Sequence, residues 1–205
     1  MAFDTQISTL NITPCMYKLH PGDSLIIHPE DNNIYIIIQG LLIIHQTFSN
    51  GTKISKCIIK NGYFINQLFQ SRQIHNYFYI VEATNISYVL TISHKDVFNV
   101  QKVLILHKNQ LLSSRNVLDV LIHKNIKERI VHLILMLSEL AGRSSNNYIF
   151  IDIHLSLSTI ATIVGSSRNT VSSIINEFRK NKLIAYQKQK IIIYDISKLL
   201  SHRSI

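Results

Sequence analysis

Between positions 12 and 100, apolar residues come in runs of about four to eight, the length of a strand. Each run is cut by a turn signal: Pro21-Gly22-Asp23, Asp31-Asn32-Asn33, Ser49-Asn50-Gly51 and Asn61-Gly62. Runs at 24–28, 34–39, 41–46, 53–59 and 78–82 are rich in Ile, Val, Tyr and Phe, the types that suit a pleated, half-buried surface. Turns spaced about 8–12 residues apart favour an all-β sandwich or barrel. The pattern therefore predicts an antiparallel β-domain over 1–100.

The period changes near Val100. No Gly or Pro stands between it and Gly142, and Val103, Leu106, Leu111, Leu118, Leu121 and Ile122 follow at helical spacing. A long helix over 101–125 is expected. A heptad reading puts Leu104, Leu111 and Leu118 in one stripe and His107, Ser114 and Leu121 in the other, so an inter-subunit coiled-coil seam and packing against the β-domain both fit. A second helix over 127–141 follows from Ile130, Ile134 and Leu137 with Leu133 and Leu140 alongside, stopped by Gly142 in the manner of a C′ glycine. Residues 148–153 read as a short strand, and the helical pattern resumes after His154.

Residues 155–183 carry the most specific signal. Ser156 can cap a short helix that turns Ile160, Ala161 and Val164 inward. Gly165 stands where a tight turn needs a positive φ, and Ser167 can cap a second helix that buries Val171, Ile174, Ile175 and Phe178. This is helix-turn-helix grammar. The start of the second helix in such a unit enters the major groove, which leaves Arg168, Asn169, Ser172 and Ser173 on the exposed face. Ser167, Thr170 and the helix N-terminal amides are then placed to meet phosphate, and Ser156 is counted with the DNA-binding candidates. Arg168 suits a bidentate contact to guanine and Asn169 one to adenine. Residues 183–186, the polar turn 187–190 and residues 191–194 then form a strand-turn-strand unit whose tip carries Lys188 and Lys190, a basic wing beside the second helix. An αα-hairpin with a solvated Arg168 is the alternative reading of the two helices alone.

Charge sharpens this picture. The 205 residues carry a formal net charge of +9, but 1–106 hold 7 basic and 6 acidic side chains whereas 107–205 hold 14 and 6. Residues 155–190 alone contain 6 basic side chains against Glu177, the balance that phosphate neutralisation requires. With 46% apolar and 16% charged residues, the chain can bury one large core or two small ones, so disorder is excluded as its main state. The 36 Ile, with plentiful Lys and Asn, fit A/T-rich codon usage such as that of an organelle genome. No apolar run approaches the roughly 20 residues of a bilayer span, and residues 1–10 lack the features of a secretory or transit peptide. The protein is expected to stay where it is made. Cys15 and Cys57 are the only cysteines and are expected to be free buried thiols. The ten His show neither HxH nor HExxH spacing, so no metal site is expected.

The whole arrangement resembles the cyclic-AMP-receptor/FNR family of transcription regulators. His20-Pro21-Gly22-Asp23, Tyr35-Ile36-Ile37-Ile38-Gln39-Gly40, Asn50-Gly51 and Asn61-Gly62-Tyr63-Phe64 are similar to the spaced glycines of its effector domain. Leu155-Ser156, Ile160-Ala161 and 164–171 are similar to its DNA-reading motif. Within the family, Leu111-Leu112-Ser113-Ser114-Arg115 and Lys188-Gln189-Lys190-Ile191 resemble the cyanobacterial global nitrogen regulators. The resemblance implies an α+β chain: a β-roll of the cyclic-nucleotide-binding jelly-roll type over 1–100, a dimerisation helix over 101–125, and a winged helix-turn-helix domain over 126–205. It implies a homodimer zipped along 102–123, which decides the heptad question for an inter-subunit seam, and palindromic double-stranded DNA sites from which the dimer contacts RNA polymerase, as an activator. A plastid-encoded relative of red-algal type fits the codon bias and places the protein in the plastid stroma, or in the cytoplasm if the source is bacterial.

Departures from the family pattern set the effector expectations. Cyclic-nucleotide binders carry Gly-Glu after the Phe and an Arg about ten residues on. Here Phe64 is followed by Ile65-Asn66, and Asn76 stands at the Arg position, so cyclic AMP lacks both its sugar and its phosphate partners. 2-Oxoglutarate stands as a candidate effector, with Arg115 matching a helix arginine of the nitrogen regulators and Asn76 replacing the other. Ser173 occupies a position where the family commonly has a second Arg, so operator specificity is expected to be weaker or altered. Two other classes compete. A cupin-type metalloenzyme would share the roll and could use His20, His28, His45 and His94, but the HxH pair and carboxylate it needs are missing. An effectorless or degenerate roll protein without sequence-specific DNA binding would follow from the loss at Ser173. No Ser-His-Asp set, carboxylate pair or phosphate loop nominates a catalytic residue, so no enzyme is expected.

Overall fold

The computed structural model describes residues 15–31, 33–65, 76–93, 114–145 and 148–201, with Ser114 and Arg115 described as backbone only. Its first part is built from β1 (Cys15–Leu19), β2 (Ser24–Ile27), β3 (Asn33–Gln39), β4 (Leu41–Phe48), β5 (Lys53–Lys60), β6 (Phe64–Ile65), β7 (Tyr77–Ala83), β8 (Ser87–Ser93) and β9 (Ser114–Asn116). These form two antiparallel sheets, ordered β1-β8-β3-β6 and β2-β7-β4-β5-β9. Leu19, Ile37, Leu42, Ile44, Ile59, Val81 and Val89 fill the space between them. Expectation and structure agree on the antiparallel roll as far as Ser93.

β4 shows why one stretch of this roll does not alternate. Leu42 and Ile44 face the roll interior, whereas Leu41 and Ile43 join Ile58 in a second core shared with the C-terminal half of the chain. A strand buried on both faces reads as an unbroken apolar run, and 41–44 is Leu-Leu-Ile-Ile.

The helix expected over 101–125 differs in its described part. Residues 101–113, and with them the stripe residues Leu104 and Leu111 and most of the zipper segment, lie outside the described residues. Ser114–Asn116 instead form β9, which pairs antiparallel with β5 through Ile58↔Arg115. Among the described residues of this segment helix forms for one turn, α1 (Leu118–Leu121). Polar side chains that compete for backbone hydrogen bonds explain the break: the Asn116 carboxamide accepts the Leu118 amide at 2.9 Å, and the Val117 amide is drawn to the Lys56 carbonyl at 3.1 Å. Arg115 therefore stands on a sheet edge, not on a long helix. The cysteines also split. Cys57 is largely covered, and burial pushes its thiol up to about 11, whereas Cys15 is exposed because β1 is an outer strand whose first four residues face solvent.

The C-terminal half comprises α2 (Ile126–Ala141), β10 (Gly142–Ser145), β11 (Tyr148–Ile151), α3 (Leu157–Val164), α4 (Arg168–Lys180), β12 (Ile184–Gln187), β13 (Lys190–Ile193) and α5 (Ile196–Ser201). Asn125 caps α2 by accepting the Glu128 amide at 2.8 Å. α2 ends at Ala141 as its pattern requires, but Gly142 is extended (φ −73°, ψ 138°) rather than left-handed. Its glycine is explained by crowding, since a Cβ there would strike the Ser138 carbonyl oxygen. Ile130, Leu133, Ile134 and Leu137 of α2 are buried in the second core, which spreads through α3, α4 and a small sheet ordered β10-β11-β13-β12.

The two halves are also joined by polar contacts. The His154 amide donates to the Thr84 carbonyl at 2.6 Å, and the Thr159 hydroxyl at the start of α3 donates to Glu82 Oε1 of β7 at 3.0 Å. Lys53 Nζ lies 3.4 Å from Glu82 Oε2. His45 Nε2 lies 3.3 Å from the same oxygen but misses good hydrogen-bond alignment, while its Nδ1 meets the Ser55 hydroxyl at 3.0 Å. Burial keeps His45 neutral by lowering its pKa, so this is a neutral imidazole beside a carboxylate rather than an ion pair. His45, Lys53 and Thr159 together hold the Glu82 carboxyl down to about 2 against the opposing effect of partial burial.

Both groups carry fewer protons in the folded than in the unfolded chain, so both favour folding at neutral pH and lose that contribution on acidification. Stability of the intact chain is expected to be full above about pH 6.5 and to fall below it as His45 must charge. It should fall further from pH 4.5 towards 2 as Glu82 is protonated. Urea unfolding across this range checks the profile. Glu82→Gln should cost about 1–2 kcal/mol at pH 7 and flatten the lower part of the slope; an unchanged slope would remove Glu82 as its source.

Candidate nucleic-acid interface

α3 and α4 form the helix-turn-helix, and each turn of the chain through it has a local cause. Ser156 is the N-cap of α3, its Oγ accepting the Thr159 amide at 3.0 Å. Ile160, Ala161, Ile163 and Val164 are buried. Gly165 is left-handed (φ 65°, ψ 48°), and the Ser166 amide closes the turn on the Ala161 carbonyl at 2.9 Å. A Cβ at Gly165 would meet Arg129 and Leu121 only at ordinary contact distance, so glycine is required by φ and not by space.

Ser167 then caps α4, accepting the Thr170 amide at 3.1 Å. Val171, Ile175 and Phe178 are buried, spaced four and three apart on one face. Arg168, Asn169, Thr170 and Ser173 on the other face are exposed, with Ser172 half-buried. α4 ends in a Schellman motif: Lys182 is left-handed (φ 54°), its amide bonds the Arg179 carbonyl, and the Leu183 amide bonds Phe178. Arg179 and Lys180 in the last turn complement the helix dipole.

The wing is the β12-β13 hairpin. Gln187 pairs with Lys190, leaving Lys188 (φ 48°) and Gln189 (φ 62°) as its two-residue loop, the sign pattern of a type I′ turn. The Tyr186 hydroxyl donates to the Leu155 carbonyl at 2.6 Å, and the Leu155 amide donates to the Gln189 carbonyl at 2.9 Å. These bonds tie the wing to the entry of α3. Lys188 projects at the tip, exposed, whereas Lys190 turns back to Asp152 at 2.7 Å and lies 5.6 Å from the Phe150 ring centre. Its hydrogen bond lowers the Asp152 pKa.

The expected residues thus separate. Arg168, Asn169, Thr170, Ser172 and Ser173 share one face with Ser167 at its head. Ser156 sits instead at the junction with the β-roll, its hydroxyl 2.8 Å from that of Thr159. Of the expected effector residues, Phe64 and Ile65 are buried in the roll and Asn66 lies outside the described residues. Asn76 is exposed at the foot of β7, its carbonyl accepting the Ser49 amide at 2.9 Å.

Sequence reasoning missed what holds this face in place. Arg129 of α2 donates through Nη1 to the Val164 carbonyl at 3.1 Å and through Nε to the His123 carbonyl at 2.9 Å, bridging the end of α3 and the chain after α1. Lys127 of α2 pairs with Glu177 of α4 at 2.9 Å. His123 is only six residues from Arg129, but Val164 and Glu177 are distant in sequence; the only hint is two cations in the first turn of a helix, where the dipole disfavours them.

A capped helix end with exposed polar side chains, held by α2 and flanked by a lysine-tipped wing, is a shape that a major groove accepts. It makes the chain a winged-helix DNA-binding protein carried on a β-roll. Residues 128–201 match the family described as a Crp-like helix-turn-helix domain. The chain is 32% identical over 189 residues to the HTH-type transcriptional regulator ycf28 of Porphyra purpurea, covering 88% of this chain and 78% of that protein. It is 24% identical over 188 residues to the global nitrogen regulator of Synechococcus elongatus, covering 85% and 80%. Among solved structures, a CRP-family transcriptional regulator from Thermus thermophilus has a TM-score of 0.70 at 15% identity over 92% of this chain and 97% of that one. The chain belongs to the CRP/FNR family and is a DNA-binding transcription regulator.

Arg168→Ala should lower affinity for a specific site by about 1–3 kcal/mol while salt-sensitive non-specific binding persists; unchanged specific affinity in a fluorescence-anisotropy titration would remove Arg168 as a base reader. Gly165→Ala, with no clash but a strained φ, should lower folding stability by about 1–2 kcal/mol in urea unfolding, and a smaller loss would mean that the turn relaxes.

Proposed function

We propose that the protein is a nitrogen-responsive transcription activator that binds palindromic promoter sites as a homodimer and contacts RNA polymerase from them, in the plastid of an alga. The face at the capped start of α4, with Arg168, Asn169 and Ser173 exposed and Ser172 half-buried, is the observation that carries it. Two such faces related by a dyad would occupy successive major grooves roughly 34 Å apart. Arg168 is the guanine reader and Asn169 the adenine reader, while Ser167, Thr170 and Lys188 meet phosphate. With Ser173 in place of a second arginine, fewer bases are fixed by direct contact. Likeness to the global nitrogen regulators supports the nitrogen response, and likeness to the Porphyra protein, with the Ile, Lys and Asn bias, supports the plastid.

One observation favours a second reading, a constitutive regulator. Phe64 and Ile65 are buried and Asn76 carries no charge, so these three offer no cation to a dicarboxylate such as 2-oxoglutarate, and none to the phosphate of cyclic AMP.

Anisotropy titration of the full chain against a palindromic GTA-N8-TAC duplex and a scrambled duplex, at one salt concentration with and without 2-oxoglutarate, tests both readings. Preference for the palindrome that tightens with 2-oxoglutarate is the expected result. Preference without a ligand response would replace it with the constitutive reading, and equal weak binding to both duplexes would contradict sequence-specific recognition of this site.

A further inference from the structure

A cleft of about 630 Å³ opens between the two halves of the chain, within the size range of small-molecule sites. Lys60 of β5 lines it from the roll, and Arg143 of β10 and Lys190 of β13 line it from the winged domain. Among the described residues the one carboxylate in the lining is Asp152, which is already bonded to Lys190 at 2.7 Å. Three cations against one anion in this described lining leave two positive charges unbalanced. Among the described residues neither Lys60 nor Arg143 has an acidic partner within salt-bridge distance. His20 and His154 add ring nitrogens, and Gln39, Asn61 and Asn85 add amides. Helix α2 ends beside the cleft, and Arg143, two residues beyond Ala141, offsets the negative end of its dipole.

Like charges on facing walls repel, and an anion between them converts that repulsion into a bridge. We propose that this cleft binds a small dianion, phosphate or dicarboxylate, clasped by Lys60 from the β-roll and by Arg143 and Lys190 from the winged domain. Phe64, Ile65 and Asn76, the effector candidates whose side chains are described, do not line it, and the proposal stands whether or not the effector position that the family resemblance implies is used. Its walls come from both halves, and the interdomain bond from His154 to Thr84 borders it. Occupancy therefore favours the docked arrangement of the halves. Lys190 belongs both to the cleft and to the base of the wing, so the ligand also bears on the wing.

Isothermal titration calorimetry of the full chain tests this, with sodium phosphate in one arm and sodium succinate in the other, at ionic strength held constant with chloride. At least one of the two is expected to bind saturably, once per chain, and the tighter arm identifies the ligand class. Lys60→Gln and Arg143→Gln, on opposite walls, should each weaken binding about ten-fold or more, and Arg143→Lys should restore most of it. Lys56→Gln, an equal loss of charge on the exposed side of the same strand, should leave it unchanged. The proposal is overturned if neither anion gives heat above the chloride control, if either wall variant binds as the wild type does, or if Lys56→Gln loses as much.

Discussion

The exposed face at the start of α4 depends on the grip of α2 on the helix-turn-helix. A short two-helix unit cannot bury enough surface to hold its own shape. α2 supplies that surface with Ile130, Leu133, Ile134 and Leu137, and it fixes orientation with Arg129. A guanidinium presents several donors in a rigid plane, and here two of them reach carbonyls from different elements, Val164 and His123. The Val164 carbonyl ends α3, where acceptors lack intrahelical partners, and the His123 carbonyl lies in the chain just after α1. Arg129 therefore closes the end of α3, ties it to the segment that follows α1, and fixes the turn at Gly165 from which α4 departs. Lys127 adds a second attachment to α4 through Glu177, on the flank away from Arg168.

The β-roll extends the same core. Because β4 is buried on both faces, the roll packs through Leu41, Ile43 and Ile58 directly onto the apolar cluster under the winged domain. Glu82 supplies the polar counterpart, receiving the Thr159 hydroxyl at the very start of α3. A change in the roll that moves β7 thus has a short route to the helix preceding the reading helix, through one hydrogen bond and a continuous apolar contact. That coupling lives on the packing link of the chain from sequence to function, and it gives the roll a physical means of influencing DNA recognition.

Local features were legible in the sequence and distant pairings were not. Ser156, Gly165 and Ser167 act within three or four residues of themselves, by capping or by positive φ, so the helix-turn-helix could be placed from residue types alone. The spacing of Val171, Ile175 and Phe178 identified which side of α4 must face solvent. The strands of the roll were readable for the same reason, through turns and short apolar runs. The helix expected over 101–125 fails at 114–116 because those residues are claimed by the edge of β5, a partner more than fifty positions away, and because the Asn116 side chain accepts the Leu118 amide. Gly142 was read correctly as a stop but for the wrong cause, since the Ser138 carbonyl that crowds it belongs to the helix it ends. Glu82 and Arg129 were invisible because their partners are set by tertiary packing alone.

Guanine N7 methylation interference on a bound palindromic site tests the central claim, that α4 reads the major groove through its first turn. N7 faces that groove and is half of the bidentate arginine contact. Methylation at one or more guanines in each half-site should block binding by the wild-type chain, and the same methylation should make little further difference to Arg168→Ala. Interference that is equally strong in both proteins, or absent from the half-sites of the wild type, would contradict the account.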